Sequence, residues 1–293
     1  MIKLASWQMR AVGEPLVWSE RVIDSLGQGE ALVRVAGCGV CHTDLGFLFD
    51  GVRPKHPLPL TLGHEIAGVV EMTGEGAEVW HGKAVVVPAV TPCDACDLCK
   101  TGRGTICRAQ TFIGSDVHGG FASHVVVAAR GLCPVDETRL AQSGVELAEL
   151  GVLADAISTP YQAIVRAGLS AGDVAVFVGV GGVGAFGVQI AHSFGARVVA
   201  LDVDDTRLAR IAQHGADRTL NVRGLPVKDV RERVRKLVTA IAGEPTSWRI
   251  FETSGTAAGQ LLAFGLLTYG SVLSVIGYQL NPIEVRLSNL MAF

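Results

Sequence analysis

The chain has 293 residues, 49% hydrophobic and 18% charged, with a formal net charge of −3 and both signs mixed along its length. That balance describes a globular chain long enough for two domains, and it excludes a fibre, a disordered tail and a polyanion-binding surface, so neither nucleic acid nor an acidic membrane is an expected partner. Seven cysteines, an odd number gathered at close spacing, argue for reduced thiols and a cytoplasmic protein rather than a disulfide framework.

In chain order, Met1-Ile-Lys-Leu-Ala-Ser-Trp-Gln-Met-Arg10 has no sustained apolar core behind a basic start and does not read as a secretory signal. Short β-type runs follow, punctuated by glycine and proline, over Ala31 to Ala36, Ile66 to Val70, Ala84 to Pro88 and Ser123 to Ala128. They predict a compact, mostly antiparallel β domain. From about Gly151 buried-type strands alternate with helices. Strands are expected over Asp173 to Val178, Arg197 to Leu201, Trp248 to Glu252 and Ser271 to Ile276, and helices over Gly184 to Phe194 and Asp204 to His214. That alternation predicts a parallel, doubly wound sheet, so the fold class is α/β with a β domain in front. The apolar stretch Val174 to Val188 is broken by five glycines and does not read as a membrane span.

The run Cys93-Asp-Ala-Cys96-Asp-Leu-Cys99, followed by Cys107, places four thiols in a short loop. Four thiolates suit one tetrahedral Zn²⁺ with no position left open for a substrate, which describes a structural site. Upstream, Gly39-Val-Cys41-His42-Thr43-Asp44 and Gly63-His64-Glu65 carry a thiolate and an imidazole on separate loops, the ligand types of a catalytic zinc. Cys38 and Cys133 fall outside both sets and are expected to be small buried hydrophobes. His56, His81, His118, His124, His192 and His214 have no ligand-like context.

Gly179-Val-Gly181-Gly182-Val-Gly184 follows the strand ending at Val178 and opens a helix, the context in which a glycine motif binds a dinucleotide. The first glycine makes a tight turn, the second admits a pyrophosphate to the backbone, and the third lets helix and strand pack closely, with the helix dipole facing the phosphates. Asp202, at the end of the next strand, would accept hydrogen bonds from an adenosine ribose diol and repel a 2′-phosphate, so NAD is expected over NADP. Arg207 can reach the same ribose edge or stand as a solvated helix charge.

Taken together, Gly39 to Asp44, Gly63-His64-Glu65-Ile-Ala-Gly68, the four-cysteine run and the glycine motif resemble the zinc-dependent alcohol dehydrogenases of the medium-chain dehydrogenase/reductase superfamily. The resemblance covers essentially the whole chain. It implies a chaperonin-10-like catalytic domain with both zincs over residues 1–157 and a Rossmann domain for NAD over 158–293. It also implies a homo-oligomer, dimer or tetramer, and a further strand and return segment beyond the apolar end Asn289-Leu-Met-Ala-Phe293. By the same resemblance Cys41 and His64 are two catalytic zinc ligands, and Cys93, Cys96, Cys99 and Cys107 are the structural shell. Thr43 takes the substrate hydroxyl proton, Asp44 accepts the second ring N–H of the histidine ligand, and Glu65 stands behind the zinc.

Two positions depart from the commonest family form. In Ala154-Asp155-Ala-Ile-Ser-Thr159-Pro-Tyr161 the usual third ligand, a cysteine, is replaced by Asp155, a carboxylate that keeps the ligand charge balanced against Zn²⁺; the other reading of Asp155 is a polar hinge residue. The usual shuttle histidine is replaced by Gly46, which leaves His42 either as a proton carrier or as a contact to the cofactor pyrophosphate.

The implied activity is oxidation of a secondary alcohol to a ketone, with a zinc-bound hydroxyl losing its proton and the carbinol hydride passing to the nicotinamide. Gly39 to Leu45, Cys99 to Gln110, Gly119 to His124, Asp155 with Thr159-Pro-Tyr161, and Glu284 to Phe293 are similar to the 6-hydroxycyclohex-1-ene-1-carbonyl-CoA dehydrogenases of anaerobic benzoyl-CoA breakdown. That likeness implies a small-molecule substrate, a cyclic hydroxyacyl-CoA; no basic cluster independently marks a coenzyme A site. The alternatives are a generic zinc alcohol dehydrogenase and a conjugated enone or enoyl reductase of the same superfamily. A non-enzyme retaining the fold is disfavoured by the intact set of ligands with Thr43 and Asp202.

Overall fold

The computed structural model describes residues 1–243 and 248–291. The expectation placed on the end of the chain therefore reaches, at Ala292 and Phe293, outside the described residues. The chain divides into two compact units, Met1–Asp155 and Ala156–Phe293.

The first unit carries strands β1 (Ile2–Met9), β2 (Val17–Ile23), β3 (Glu30–Gly39), β4 (Leu60–Thr61), β5 (Glu65–Thr73), β6 (Ala84–Val87), β7 (Val90–Thr91), β8 (Thr111–Phe112), β9 (His124–Ala128) and β10 (Cys133–Pro134). Its helices are α1 (His42–Leu48), α2 (Asp97–Lys100) and α3 (Glu137–Ser143). A five-stranded sheet in the order β10-β6-β5-β3-β9 is antiparallel throughout, as the glycine-punctuated β runs predict. The β1–β2 hairpin, joined to β4, forms a second sheet that those runs do not mark, because its strands expose much of both faces and lack a clean alternation.

A 3₁₀ segment, Leu147–Ala154, lies directly on β3 and β5. Two glycines allow the approach. A Cβ on Gly37 would stand 2.9 Å from the Ala148 Cα, and one on Gly151 would run into the Glu65 carbonyl. Any side chain at either position would lift the segment off the sheet, and with it the residue that follows, Asp155.

The second unit holds α4 (Ser158–Arg166), β11 (Val174–Val178), α5 (Gly182–Ser193), β12 (Arg197–Asp202), α6 (Asp205–Ala212), β13 (Arg218–Asn221), α7 (Val227–Ala242), β14 (Trp248–Glu252), α8 (Ala257–Gly265) and β15 (Val272–Val275). The strands are all parallel in the order β13-β12-β11-β14-β15, with Val178 level with Leu201 on one side and Glu252 on the other. Every residue of β11 is buried, the signature of a strand covered on both faces. One face packs Phe177 and Phe251, stacked at 4.8 Å, against Ile164, Val188 and Ala191. The other receives Val230, Val234 and Val238, a four-residue repeat that gives α7 its buried stripe. Each aliphatic or phenyl side chain removed from water in this way contributes about 1.5–3 kcal/mol. No helix among the described residues is long and apolar enough to cross a membrane.

Candidate metal centres and dinucleotide site

The Cys41 region is shaped by its own sequence. Cys41 is the extended residue before α1, and Asp44, three residues on, accepts the Cys41 N–H on Oδ2 at 2.9 Å. The other carboxylate oxygen of Asp44 accepts the Gly63 N–H at 3.0 Å. One buried acid thus ties the loop carrying Cys41 to the loop carrying His64. Gly63 itself has a φ of +95°, and a Cβ there would meet Cys38 Sγ at 2.8 Å and the Phe121 ring, so only glycine presents His64 in this way. The His64 ring is 2% exposed and meets Phe112 edge-on at 5.1 Å.

These elements bring three donor atoms together. Asp155 Oδ2 lies 3.3 Å from His64 Nε2 and 3.5 Å from Cys41 Sγ, and all three donors lie within 4.8 Å of one another. Tetrahedral zinc with ordinary Zn–N, Zn–O and Zn–S bonds needs N···O and S···O edges of about 3.3–3.6 Å, so the donor set fits that ion. A thiolate and a carboxylate also supply two negative charges for one divalent cation. With the protein groups alone, burial works to lower the His64 pKa, but Asp155, Asp44 and Cys41 outweigh it and the ring is pushed up to about 12. The cluster demands positive charge at its centre, which a proton supplies there and a metal ion would supply better.

Other predicted residues fall around this set. Thr43 Oγ1 is 3.7 Å from Cys41 Sγ. His42 is exposed at the start of α1. Glu65 is buried, and a Cβ on Gly39 would run into its carboxylate, which accounts for the glycine there. Asp44 stands 3.5 Å from His64 Nδ1, too far for a full hydrogen bond, and Nδ1 has no hydrogen-bond partner among the described residues. Where the sequence suggests that Asp44 holds the ring, the structure shows its carboxylate engaged first with two backbone N–H groups.

The four-thiol lobe is equally compact. Its sulfurs are separated by 3.5 Å for Cys96–Cys99 and Cys93–Cys107, 3.8 Å for Cys96–Cys107 and 4.0 Å for Cys93–Cys99. A tetrahedron of Zn–S bonds near 2.3 Å has edges of about 3.8 Å, so these sulfurs also fit one zinc. N–H groups of Ala95 and Cys96, then the Cys107 thiol, lower the Cys93 pKa to about 6, whereas burial and the neighbouring thiols raise Cys99 to about 12. Arg130 fastens the lobe to the β body through Asp94 at 3.4 Å and the Pro92 carbonyl at 3.1 Å.

In the second unit, Gly179 has a φ of +93°, and a Cβ there would stand 2.6 Å from the Ser254 Cα. A Cβ on Gly184 would collide with the Gly179 carbonyl and approach Thr253 Oγ1 at 2.7 Å. Around Gly182 the space is open to 4 Å, and around Gly181 the nearest atom is Arg207 Nη1 at 3.9 Å. Closed at the first and last glycines and open at the middle pair, beside the first turn of α5, the motif fits a pyrophosphate. Asp202, 6% exposed, accepts the Val180 N–H on Oδ2 at 2.7 Å and the Val203 and Asp204 N–H groups on Oδ1 at 2.7 and 3.0 Å. Arg207 Nη1 stands 4.0 Å from the same carboxylate.

Residues 27–137 match the model of the alcohol dehydrogenase GroES-like domain, and residues 182–293 that of the zinc-binding dehydrogenase domain. An alcohol dehydrogenase of Geobacillus stearothermophilus is 30% identical over 267 residues, spanning 89% of this chain and 77% of that protein. The chain belongs to the zinc-dependent alcohol dehydrogenases.

A second alcohol dehydrogenase of Geobacillus stearothermophilus is 35% identical over 212 residues, which cover 71% of the present dehydrogenase and 60% of its relative. Among solved structures, galactitol-1-phosphate dehydrogenase of Escherichia coli superposes with a TM-score of 0.83 at 26% identity, covering 98% of this chain and 79% of that one. One sequence expectation fails outright in the dehydrogenase. Cys133 is exposed, not buried, because it lies on the two-residue edge strand β10 with no further strand beyond it among the described residues. Cys38 is half-buried and packs against the β core, which meets the expectation in part, and burial pushes its thiol up to about 12. Glu252, a fully buried acid at the end of β14, is a residue that motif reading passes over.

Proposed function

We propose that this dehydrogenase oxidises a secondary alcohol to a ketone, with NAD as the hydride acceptor. The observation that carries the reading is the meeting of Cys41 Sγ, His64 Nε2 and Asp155 Oδ2 within 4.8 Å in a chain that also holds the Gly179 to Gly184 motif. Those three residues would hold a catalytic zinc, which supplies Lewis acidity at its remaining position. Cys93, Cys96, Cys99 and Cys107 would hold a structural one.

Each further residue has a task its position supports. Thr43, two residues from Cys41 in the same turn, accepts the proton of the substrate hydroxyl, and the exposed His42 beside it passes that proton to solvent. Asp44 braces the two ligand-bearing loops, so that ligand geometry is set before substrate arrives. Glu65, buried next to His64, adds a second acid behind the ligand set. Gly181 and Gly182 leave the backbone open to the pyrophosphate, and Asp202 with Arg207 takes the adenosine ribose. The alcohol gives up one proton and one hydride, and the products are ketone, NADH and the released proton.

The finer reading of the substrate is 6-hydroxycyclohex-1-ene-1-carbonyl-CoA, oxidised to its 6-oxo product in anaerobic aromatic degradation. It is supported by the likeness of the segments Gly39 to Leu45, Cys99 to Gln110 and Gly119 to His124. A polyol or polyol phosphate is the second reading, favoured by the structural likeness to galactitol-1-phosphate dehydrogenase. The family resemblance also supports a homo-oligomer, and the reduced cysteines support a cytoplasmic setting. The test is NAD reduction measured across the cyclic hydroxyacyl-CoA, its free acid, sugar alcohols with and without phosphate, and simple alcohols. Turnover is expected to be highest on the CoA ester. Turnover confined to polyols would transfer the assignment to the second reading, and no turnover of any secondary alcohol by zinc-replete protein would remove both.

A further inference from the structure

Glu252 is the last residue of β14, with its neighbours Val178 of β11 on one side and Val275 of β15 on the other. It is 0% exposed. Its Oε1 accepts the Ser254 N–H at 2.8 Å, the Ser254 hydroxyl at 2.5 Å and the Gly255 N–H at 3.2 Å. Its backbone carbonyl accepts the N–H groups of Ile276 and Gly277 at 2.8 and 3.0 Å. Oε2 has no hydrogen-bond partner among the described residues, and it lies 2.8 Å from the point where a Cβ on Gly277 would stand. The same Cβ would run into the Gly255 backbone.

An acid buried with one oxygen left over costs stability that an apolar residue at the end of a core strand would not. What the carboxyl group accomplishes is local order in the 253–255 turn, while the backbone carbonyl of the same residue holds the loop after β15. The 253–255 turn is drawn onto Oε1, and on its other side Thr253 Oγ1 donates to the Gly179 and Val178 carbonyls at 2.6 and 3.2 Å. The turn is thereby locked to the first glycine of the dinucleotide motif, and the loop after β15 packs closely on the turn where Gly277 meets the Gly255 backbone. Both loops lie at the carboxyl ends of the strands, on the far side of β11 from Asp202 and β12. In an open parallel sheet a dinucleotide lies across those ends where the strand order reverses, here between β11 and β14. Asp202 marks the adenosine side, which leaves the other half of the cofactor over residues 253–255 and 276–278.

We propose that Glu252 is the positioning residue for the nicotinamide half of NAD. It does not touch the cofactor; its carboxyl group fixes the backbone of the 253–255 turn, on which the loop after β15 packs, as the floor on which the nicotinamide riboside lies. This rests on the NAD reading given above.

The test compares binding of NADH with binding of ADP-ribose, which keeps the adenosine and pyrophosphate and lacks the nicotinamide. Glu252→Ala is expected to weaken NADH about tenfold and ADP-ribose by less than about twofold. Glu252→Gln, which keeps an acceptor oxygen for the same three donors, is expected to return NADH binding to within about threefold of the parent protein. Ser254→Ala removes one donor and leaves the acid in place; it is expected to show the same split at about threefold, and it decides the matter if Glu252→Ala does not fold. Equal losses for the two ligands, unchanged NADH binding in the variants, or a glutamine variant as weak as alanine would overturn the proposal. Parent protein that binds ADP-ribose and NADH equally poorly would overturn the NAD reading and the role of Glu252 together.

Discussion

Replacing Asp155 by alanine is expected to lower the zinc content from two ions per chain to one and to reduce NAD-linked alcohol oxidation by about a thousandfold or more. Asp155 Oδ2 closes the set with His64 Nε2 at 3.3 Å and Cys41 Sγ at 3.5 Å, and without it one thiolate and one imidazole remain. Two ligands carrying a single negative charge do not complete a zinc site of the kind that keeps one position for substrate. Asp155→Cys restores both the ligand count and the charge and is expected to retain the second zinc. Metal analysis and initial rates on the same preparations read both effects. Unchanged zinc and unchanged rate in the alanine variant would show that Asp155 is a hinge residue and no ligand.

The second large effect is on the thiol lobe. Cys107→Ser is expected to cost the lobe its zinc and to open residues 93–107 to proteolysis, while the β body stays folded. Nothing else in the lobe replaces the metal: α2 is four residues long and the 3₁₀ turn Gly104–Ile106 three, and neither buries a residue. Cys107 is the buried member of the four. Zinc binding to such thiolate sets is worth roughly 10 kcal/mol or more in small domains, far beyond what these turns supply. Lys100, Arg103 and Arg108 are exposed, so trypsin reports the opening directly. Rapid cleavage in the variant at rates that leave the parent intact is the expected result. Equal resistance in both would mean that packing through Arg130, and no metal, holds the lobe.

Much of this was legible in the sequence, for physical reasons that differ from residue to residue. β11 announces itself because a strand buried on both faces must be a continuous apolar run, and β14 does so less fully, with Trp248, Ile250 and Phe251 set between Arg249 and Glu252. α5 begins at Gly182, two residues before the expected Gly184, because the middle glycines already belong to its first turn. α7 went unmarked although Val230, Val234 and Val238 form a clear helical stripe, since the charges between them dominate a reading by composition. β13 has no fully buried residue and carries no apolar run at all.

The candidate site divides in the same way. Four cysteines within one loop declare their chemistry through spacing alone. Cys41, His64 and Asp155 are far apart in sequence, and Asp155 could be joined to them only through family resemblance; the contact depends on Gly37 and Gly151 letting the 147–154 segment lie on the sheet. The bracing by Asp44 was visible as an acid in the right turn, but its backbone partners were not. Glu252 left one usable signal, an acid closing a buried strand immediately before Thr253-Ser254-Gly255.

Two zinc sites of different chemistry in one chain are tested most directly by zinc K-edge absorption on the purified protein. Four sulfurs around one ion and a single sulfur, from Cys41, around the other give five sulfurs shared by two zincs. The expected spectrum therefore shows a reduced Zn–S shell near 2.3 Å together with a distinct nitrogen and oxygen shell at about 2.0–2.2 Å, at two zincs per chain. A single zinc per chain surrounded by sulfur alone would contradict the assignment of Cys41, His64 and Asp155.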